Sequence, residues 1–415
     1  MGEGRAYIFK KDSAGNWAQV GDPLSASDAA PSSYFGGSVA ISDDHAIVGA
    51  MLAGSPDEGR AYIFKMNSAD PDGTWIQVGL PLSGDTIDEL NGAVGDYFGV
   101  SVDIDGNYAV VGASGVCTSQ GCNHGSAYVF TPNSEDPWTT WVQVGEGFNP
   151  SGVSGGDRFG TSVAISGSTI VIGTNQASPA IGDAYVYNLQ LTGEWTETTS
   201  LTPSDGASGD YFGNRVAIDG ELIAVAAPYH DDTRGKVYLY SQDPASSDGS
   251  WIQTGLHLNH PDPAPYTFFG QSISISGKYL LIGSRGSAAN GLGNVSVFKP
   301  NSNDVWVHSQ TLSASDGNDN DNFGWSVAID GVHAVVGAIG DDMYAPMEGI
   351  GYFYRVSHVD TDDDNEIDDC DPDDDGDGVD DEFDWAPLDP SESADSDGDG
   401  IGDNADTYPN DFDND

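Results

Sequence analysis

Residues 34–50, YFGGSVAISDDHAIVGA, read as two short apolar runs joined by a polar turn, the pattern of a β-hairpin. The stretch returns along the chain. Phe-Gly recurs at Phe35, Phe98, Phe159, Phe212, Phe269 and Phe323, at intervals of 53 to 63 residues. Each time a first run follows (GSVAI, VSVDI, TSVAI, NRVAI, QSISI, WSVAI), then a turn such as DG or SG, then a second run (AIVGA, AVVGA, IVIGT, IAVAA, LLIGS, AVVGA). A fixed period of this length marks a repeat architecture.

Beyond each hairpin and a variable loop lies a third segment that alternates aromatic and branched residues: GRAYIF, GSAYVF, GDAYVY, GKVYLY, GNVSVF and GIGYFY. A fourth is headed by tryptophan, at Trp17, Trp75, Trp141, Trp195, Trp251 and Trp306. Each unit is therefore four strands. No long 3.6-residue period occurs, and Gly, Asn, Asp and Pro punctuate every junction, so helix should be nearly absent. Four-stranded units repeated radially make a β-propeller, which leaves no long sheet edge open. The first two strands are rich in Ser, Gly, Ala and Val, as strands near a crowded axis must be. The outer strands carry the bulky Tyr, Phe and Trp, a taper that argues against a solenoid.

These residues resemble FG-GAP repeats, the units of integrin α-chain head propellers, over roughly residues 4 to 356. The resemblance implies an all-β propeller in an extracellular or cell-surface protein, with seven blades. The chain supplies 25 strands against 28 for seven blades and 24 for a closed ring of six, so six or seven blades are both expected. One reading makes the chain a fragment lacking upstream sequence; the other closes six blades by having the Trp17 strand complete the last one. In integrin-type propellers several of the inner hairpins carry D-x-D-x-D-G-x-x-D cation loops, but here those turns are short, so no metal site is carried into the propeller.

Sixty-six acidic and thirteen basic residues among 415 give a net charge of -53, which repels nucleic acid and anionic lipid surfaces. No apolar run is long enough to span a bilayer, and MGEGRAYIFK lacks the apolar stretch of a signal peptide. From Asp360 onward 26 residues are acidic and none is Lys or Arg. A boundary is placed there, with a propeller over residues 1–357 and an acidic segment over 358–415.

That segment keeps a register. Asp360, Asp362, Asp364, Asp368 and Asp371 occupy places one, three, five, nine and twelve of a loop; Asp373, Asp375, Asp377, Asp381 and Asp384 do so again, and Asp395, Asp397, Asp399, Asp403 and Asp406 a third time. Gly378 and Gly400 stand at place six, with Asn365 in the first loop, and the spacing starts again at Asp411, Asp413 and Asp415. Carboxylates so spaced can wrap Ca2+, which takes six to eight oxygens. Flanking prolines argue against the helices of an EF-hand. The segment resembles thrombospondin type 3 repeats, which implies loops wrapped around calcium ions in a loop-rich stalk. A disordered acidic tail is the plainer alternative, but charge runs do not usually hold a twelve-residue register.

Catalytic patterns are weak. GVSGG around Ser154 matches G-x-S-x-G formally but lies in a glycine-rich loop instead of a strand-to-helix turn. His257 and His260, with Asp262, could hold a metal, although such pairs in Pro-rich loops are commonly incidental. Asp96, Asp157, Asp210 and Asp321, each two residues before Phe-Gly, read as turn caps, and the tryptophans as packing between blades in preference to sugar platforms. Cys117 and Cys122 are close enough to bridge yet tolerable as free thiols; Cys370, among carboxylates, reads as a small packing residue. The expectation is a non-enzymatic, calcium-binding, secreted or surface-attached protein whose propeller loops meet a protein or glycan ligand, either as a monomer or as part of a longer chain. An accessory region of a larger secreted hydrolase and a structural spacer are the alternatives.

Overall fold

The computed structural model describes the chain except for residues 1–3, 13–14, 29, 55–57, 68, 71–72, 85–94, 118–121, 136–139, 151, 177–180, 244–248, 256, 263, 287–291, 302, 319–320, 341–348, 357–372, 374, 380–382, 388, 399–400, 408 and 410–415. The chain divides into two compact units, Met1–Tyr354 and Arg355–Asp415.

The first unit is an all-β, six-bladed propeller built on four-stranded blades. A two-stranded sheet comes first, β1 (Phe9–Lys11) with β2 (Trp17–Gln19). The first blade is β3 (Phe35–Ser42), β4 (His45–Ala50), β5 (Arg60–Met66) and β6 (Trp75–Leu82). The second is β7 (Phe98–Asp105), β8 (Tyr108–Ala113), β9 (Ser126–Pro132) and β10 (Trp141–Gln143). The third is β11 (Ser162–Ser166), β12 (Thr169–Gly173), β13 (Ala184–Leu189) and β14 (Trp195–Leu201); the fourth is β15 (Arg215–Asp219), β16 (Leu222–Ala227), β17 (Lys236–Gln242) and β18 (Trp251–Gln253). The fifth is β19 (Ser272–Ser276), β20 (Tyr279–Ser284), β21 (Asn294–Pro300) and β22 (Trp306–Leu312), and the sixth is β23 (Phe323–Asp330), β24 (His333–Ala338) and β25 (Ile350–Arg355). Strands follow sequence order within every sheet. Among the described residues the one segment with helical hydrogen bonding, His230–Thr233, has non-helical dihedrals at Asp231 and Asp232 and is a turn.

Each blade is sealed by its Phe-Gly corner. Phe98, Phe159, Phe212, Phe269 and Phe323 are fully buried, each against an aromatic ring on the third strand of its own blade, with Phe98 5.5 Å from Tyr128 and Phe212 5.5 Å from Tyr238. The glycine that opens the third strand of one blade pairs in parallel with the phenylalanine of the next, as in Gly59 with Phe98 and Gly125 with Phe159. Small polar side chains then tie the inner strands together. Ser38 Oγ donates to the Gly99 carbonyl, Ser101 Oγ to the Gly160 carbonyl and Ser272 Oγ to the Gly324 carbonyl, each at 2.8 Å. The expected taper has this cause: a longer side chain at these serines would meet the backbone of the neighbouring blade.

The two-stranded sheet β1–β2 lies between the sixth blade and the first. Trp17 stacks on Phe353 at 4.7 Å, and Gly4 pairs with Phe35. Among the described residues β1 and β2 pair only with each other within the sheets, so Trp17 does not complete the last blade by hydrogen bonding.

Asp103 occupies a place on β7 where other blades carry Ala40, Ala164, Ala217 or Ala328. Its two oxygens accept the N–H groups of Ile104 at 2.9 Å and Ile165 at 2.8 Å, and the second of these bonds ties the second blade to the third. Burial pushes its carboxyl up to about 7, against the two hydrogen bonds, which pull the other way. A folded-state value above the unfolded one means that protonation favours the fold. The contribution is fully present below the unfolded value and fades as pH rises to about 7. The Asp103 carboxyl resonance should accordingly titrate well above the usual carboxylate range in carbon-detected NMR. Between about pH 4 and 7 the wild type should also lose stability relative to Asp103→Leu, whichever of the two is the more stable; an ordinary titration and a constant difference would contradict the assignment.

Candidate metal centre

The second unit is held by carboxylates and turns. Among its described residues from 373 onward there is neither strand nor helix. The first acidic loop, with Asp360, Asp362, Asp364, Asp368 and Asp371, and also Cys370, Asp381, Asp399 and Gly400, lie outside the described residues.

In the second loop, the Gly378 N–H donates to Asp373 Oδ2 at 2.9 Å, the Asp377 N–H to Asp375 Oδ1 at 3.2 Å, and the Val379 N–H to Asp377 Oδ1 at 2.8 Å. The Ala386 N–H donates to Asp384 Oδ1 at 2.8 Å. Gly378, with φ of 96°, takes a left-handed turn at place six that a β-carbon would strain. One ligand atom from each of Asp373, Asp375 and Asp377 lies within 4.8 Å of the others. Asp375 is buried, and its Oδ2, like Oδ2 of Asp384, accepts no hydrogen bond among the described residues. Burial, and then Asp377, Asp384 and Asp373 close by, push the Asp375 carboxyl above its ordinary value, although the Asp377 N–H opposes the shift. Buried carboxylate oxygens without a donor are costly. A hard divalent cation, bound through oxygen alone, would relieve both that cost and the mutual repulsion. These residues therefore fit Ca2+.

The third loop is organised differently. The Gly398 N–H donates to Asp395 Oδ1 at 2.7 Å, while Asp403 accepts the Ser396 N–H at 2.7 Å and the Ser396 hydroxyl at 2.6 Å. Those hydrogen bonds from Ser396 hold the Asp403 carboxyl below its ordinary value. Asp397 and Asp406 are half-buried. Among the described residues, only the second loop gathers three carboxylates within reach of one ion.

In the propeller, His257 lies 3.6 Å from Asp205, whereas His260 Nε2 meets Asn294 Oδ1 at 3.1 Å and His260 Nδ1 accepts the Asp262 N–H at 3.0 Å. His257, His260 and Asp262 are thus turned to different partners, and they form no metal cluster among the described residues. Ser154 donates its backbone N–H to Asp157. Asp210 and Asp321 likewise accept the N–H of the residue three before them, so all three cap turns, and Asp210 also pairs with His230 Nδ1 at 2.6 Å. Trp141 packs edge-on to His45 and Trp195 to Tyr108, each on the preceding blade. Cys117 and Cys122 are joined in a disulfide.

One recurring group escapes a reading by strand pattern. LSASD at 24–28, LTPSD at 201–205 and LSASD at 312–316 end in Asp28, Asp205 and Asp316. These accept the hydroxyls of Tyr62, Tyr238 and Tyr352, each at 2.7 Å, pinning the loop after a fourth strand to the next third strand. At Asp205, partial burial acts upward but is outweighed by hydrogen bonds from Lys236 and Tyr238, which hold the carboxyl down to about 2.

The chain matches the FG-GAP repeat over residues 17–64, 89–130, 141–187, 195–240, 256–298 and 306–354, more than half its length. It belongs to the FG-GAP repeat family. Most FG-GAP matches begin at a Trp-headed fourth strand and run into the first three strands of the following blade, the same junction that the Gly-Phe pairs close. No curated protein matches this FG-GAP chain. Among the described residues, no helix is long and apolar enough to cross a membrane.

Proposed function

We propose that the protein is a non-catalytic, calcium-binding protein of the extracellular space or cell surface, its propeller serving as an adhesion platform for a protein or glycan ligand. Its acidic segment acts as a thrombospondin type 3-like stalk. The observation that carries this reading is the convergence of Asp373, Asp375 and Asp377, with Asp375 buried and one of its oxygens lacking a donor. FG-GAP propellers are typical of extracellular, ligand-binding domains. The Cys117–Cys122 disulfide supports an oxidising compartment. Sites of extracellular modules bind Ca2+ at roughly 10⁻⁴ to 10⁻³ M, levels met outside cells and not in the cytosol.

Calorimetry on the full chain tests it. Calcium uptake should give a saturable heat with a dissociation constant in the range of roughly 10⁻⁴ to 10⁻³ M, and Asp375→Asn should weaken uptake at the second loop. Small-angle scattering should record a larger radius of gyration in chelator than in millimolar calcium. An absence of heat, together with equal radii, would remove the stalk and the placement outside the cell.

A further inference from the structure

The hexapeptide GRAYIF occurs twice, at 4–9 and at 59–64, with opposite fates. In the first blade Tyr62 is 1% and Phe64 3% exposed; in the two-stranded sheet Tyr7 is 51% and Phe9 44% exposed. The sequence is identical, so the difference lies in what covers it. Tyr62 and Phe64 are capped by Phe35, at 5.4 and 6.1 Å, from the inner hairpin β3–β4 of their own blade. In front of β1 no such hairpin stands among the described residues.

The walls on either side carry the same signature. On β3, Val39 is 60% and Ile41 58% exposed, while their counterparts on β7, Val102 and Ile104, are buried against the preceding blade. On the opposite wall Ser326 and Ala328 of β23 are exposed, and Val335 of β24 is half-buried where Val110, Val171 and Leu281 are fully buried. Glycines report it most directly. A β-carbon on Gly49, Gly112, Gly173 or Gly283 would lie 2.0 to 2.1 Å from the carbonyl oxygen of the next Phe-Gly glycine; at Gly337 the nearest atoms all belong to Ser326. The outer sheet nevertheless keeps the spacing of a blade. Gly4 pairs with Phe35 as Gly59 pairs with Phe98, and Trp17 meets His333 edge-on as Trp141 meets His45.

We propose that the slot between the sixth blade and the first, in front of β1, is a docking seat for a β-hairpin of the chain's own inner-strand type, led by Phe-Gly. Seated there, its phenylalanine covers Tyr7 and Phe9, and its strands bury Val39 and Ile41 on one side and Ala328 and Val335 on the other. Its leading glycine carbonyl accepts from Ser326 Oγ, as Gly99 accepts from Ser38. The N–H of its turn glycine donates to Asp330, as Gly167 donates to Asp105 and Gly277 to Asp219. The second hairpin strand adds to the free edge of β1, the mode of recognition by strand addition. The walls select the occupant because they are the surfaces that inner hairpins cover at the other blade junctions. A second copy of this propeller is a poor occupant, its hairpins being engaged in its own blades.

A fluorescent peptide with the sequence of residues 98–113, titrated into the full chain and followed by anisotropy, tests the seat. Saturable binding at one peptide per chain is expected, with a rise in the thermal midpoint of the chain. A peptide with alanine in place of its leading phenylalanine should bind at least about tenfold more weakly. So should the wild-type peptide to chains carrying Ile41→Asp or Gly337→Val; the first side chain is already exposed, and far-UV circular dichroism checks both folds. The proposal is overturned by absence of saturation up to ~100 µM, by equal binding of the two peptides, or by light scattering that shows a dimer of the chain which the peptide fails to dissociate.

Discussion

Gly125→Ala is expected to lose a large part of the stability of the propeller. Gly125 holds φ at 85°, and a β-carbon there would sit 2.1 Å from the Phe159 carbonyl oxygen and 2.5 Å from the Phe159 nitrogen. Both are backbone atoms of the bridge that closes the second blade onto the third, so no side-chain rotation relieves the overlap. The positive φ alone costs about 1–2 kcal/mol for an L residue. Separating the two backbones also uncovers Phe159, so the total should exceed about 4 kcal/mol, against a whole-domain stability of roughly 5–15 kcal/mol. Gly167→Ala is the control: φ is 55° but nothing lies within 4 Å, so only about 1 kcal/mol should be lost. Urea denaturation midpoints compare them, and equal losses would refute the claim that the Gly-Phe bridge seals the junction.

Phe159→Ala should cost about 3–5 kcal/mol through the cavity it leaves. The ring is fully buried among Val110, Val129, Val153, Ile172 and Tyr185, residues drawn from two successive blades. Tyr185 lies edge-on at 5.5 Å and belongs to the same blade as Phe159, so the loss weakens a sheet as well as a junction. Phe159→Leu retains much of the volume and should lose less than half as much. Leu191→Ala, at a fully exposed site, should change nothing measurable. A Phe159→Ala variant with a wild-type urea midpoint would mean that the Phe-Gly corner is decorative.

Much of this architecture is legible because its causes are local. The period-two alternation of GSVAI and AIVGA, the turn between them and the aromatic AYIF segment state which residues are strands and which face is apolar, and the structure places β3, β4 and β5 on those residues. The twelve-residue register of the acidic segment likewise marks Asp373, Asp375 and Asp377 as a set, since carboxylates two apart on a tight turn point inward together. Asp28, Asp205 and Asp316 were less legible: their tyrosine partners lie 33 to 36 residues away, a separation that strand periodicity does not report.

By itself, then, the sequence determined the four-strand unit, its sixfold recurrence and the taper from small inner to bulky outer residues, because side-chain size, alternation and turn chemistry act within a few residues. Only the tertiary structure decided what those residues touch. It joined Cys117 to Cys122, turned Asp103 into a tie between blades, and buried one GRAYIF while leaving the other open. Burial belongs to a residue's neighbours in space, and in a radial fold those neighbours come from the adjoining blade, some sixty residues distant in the chain.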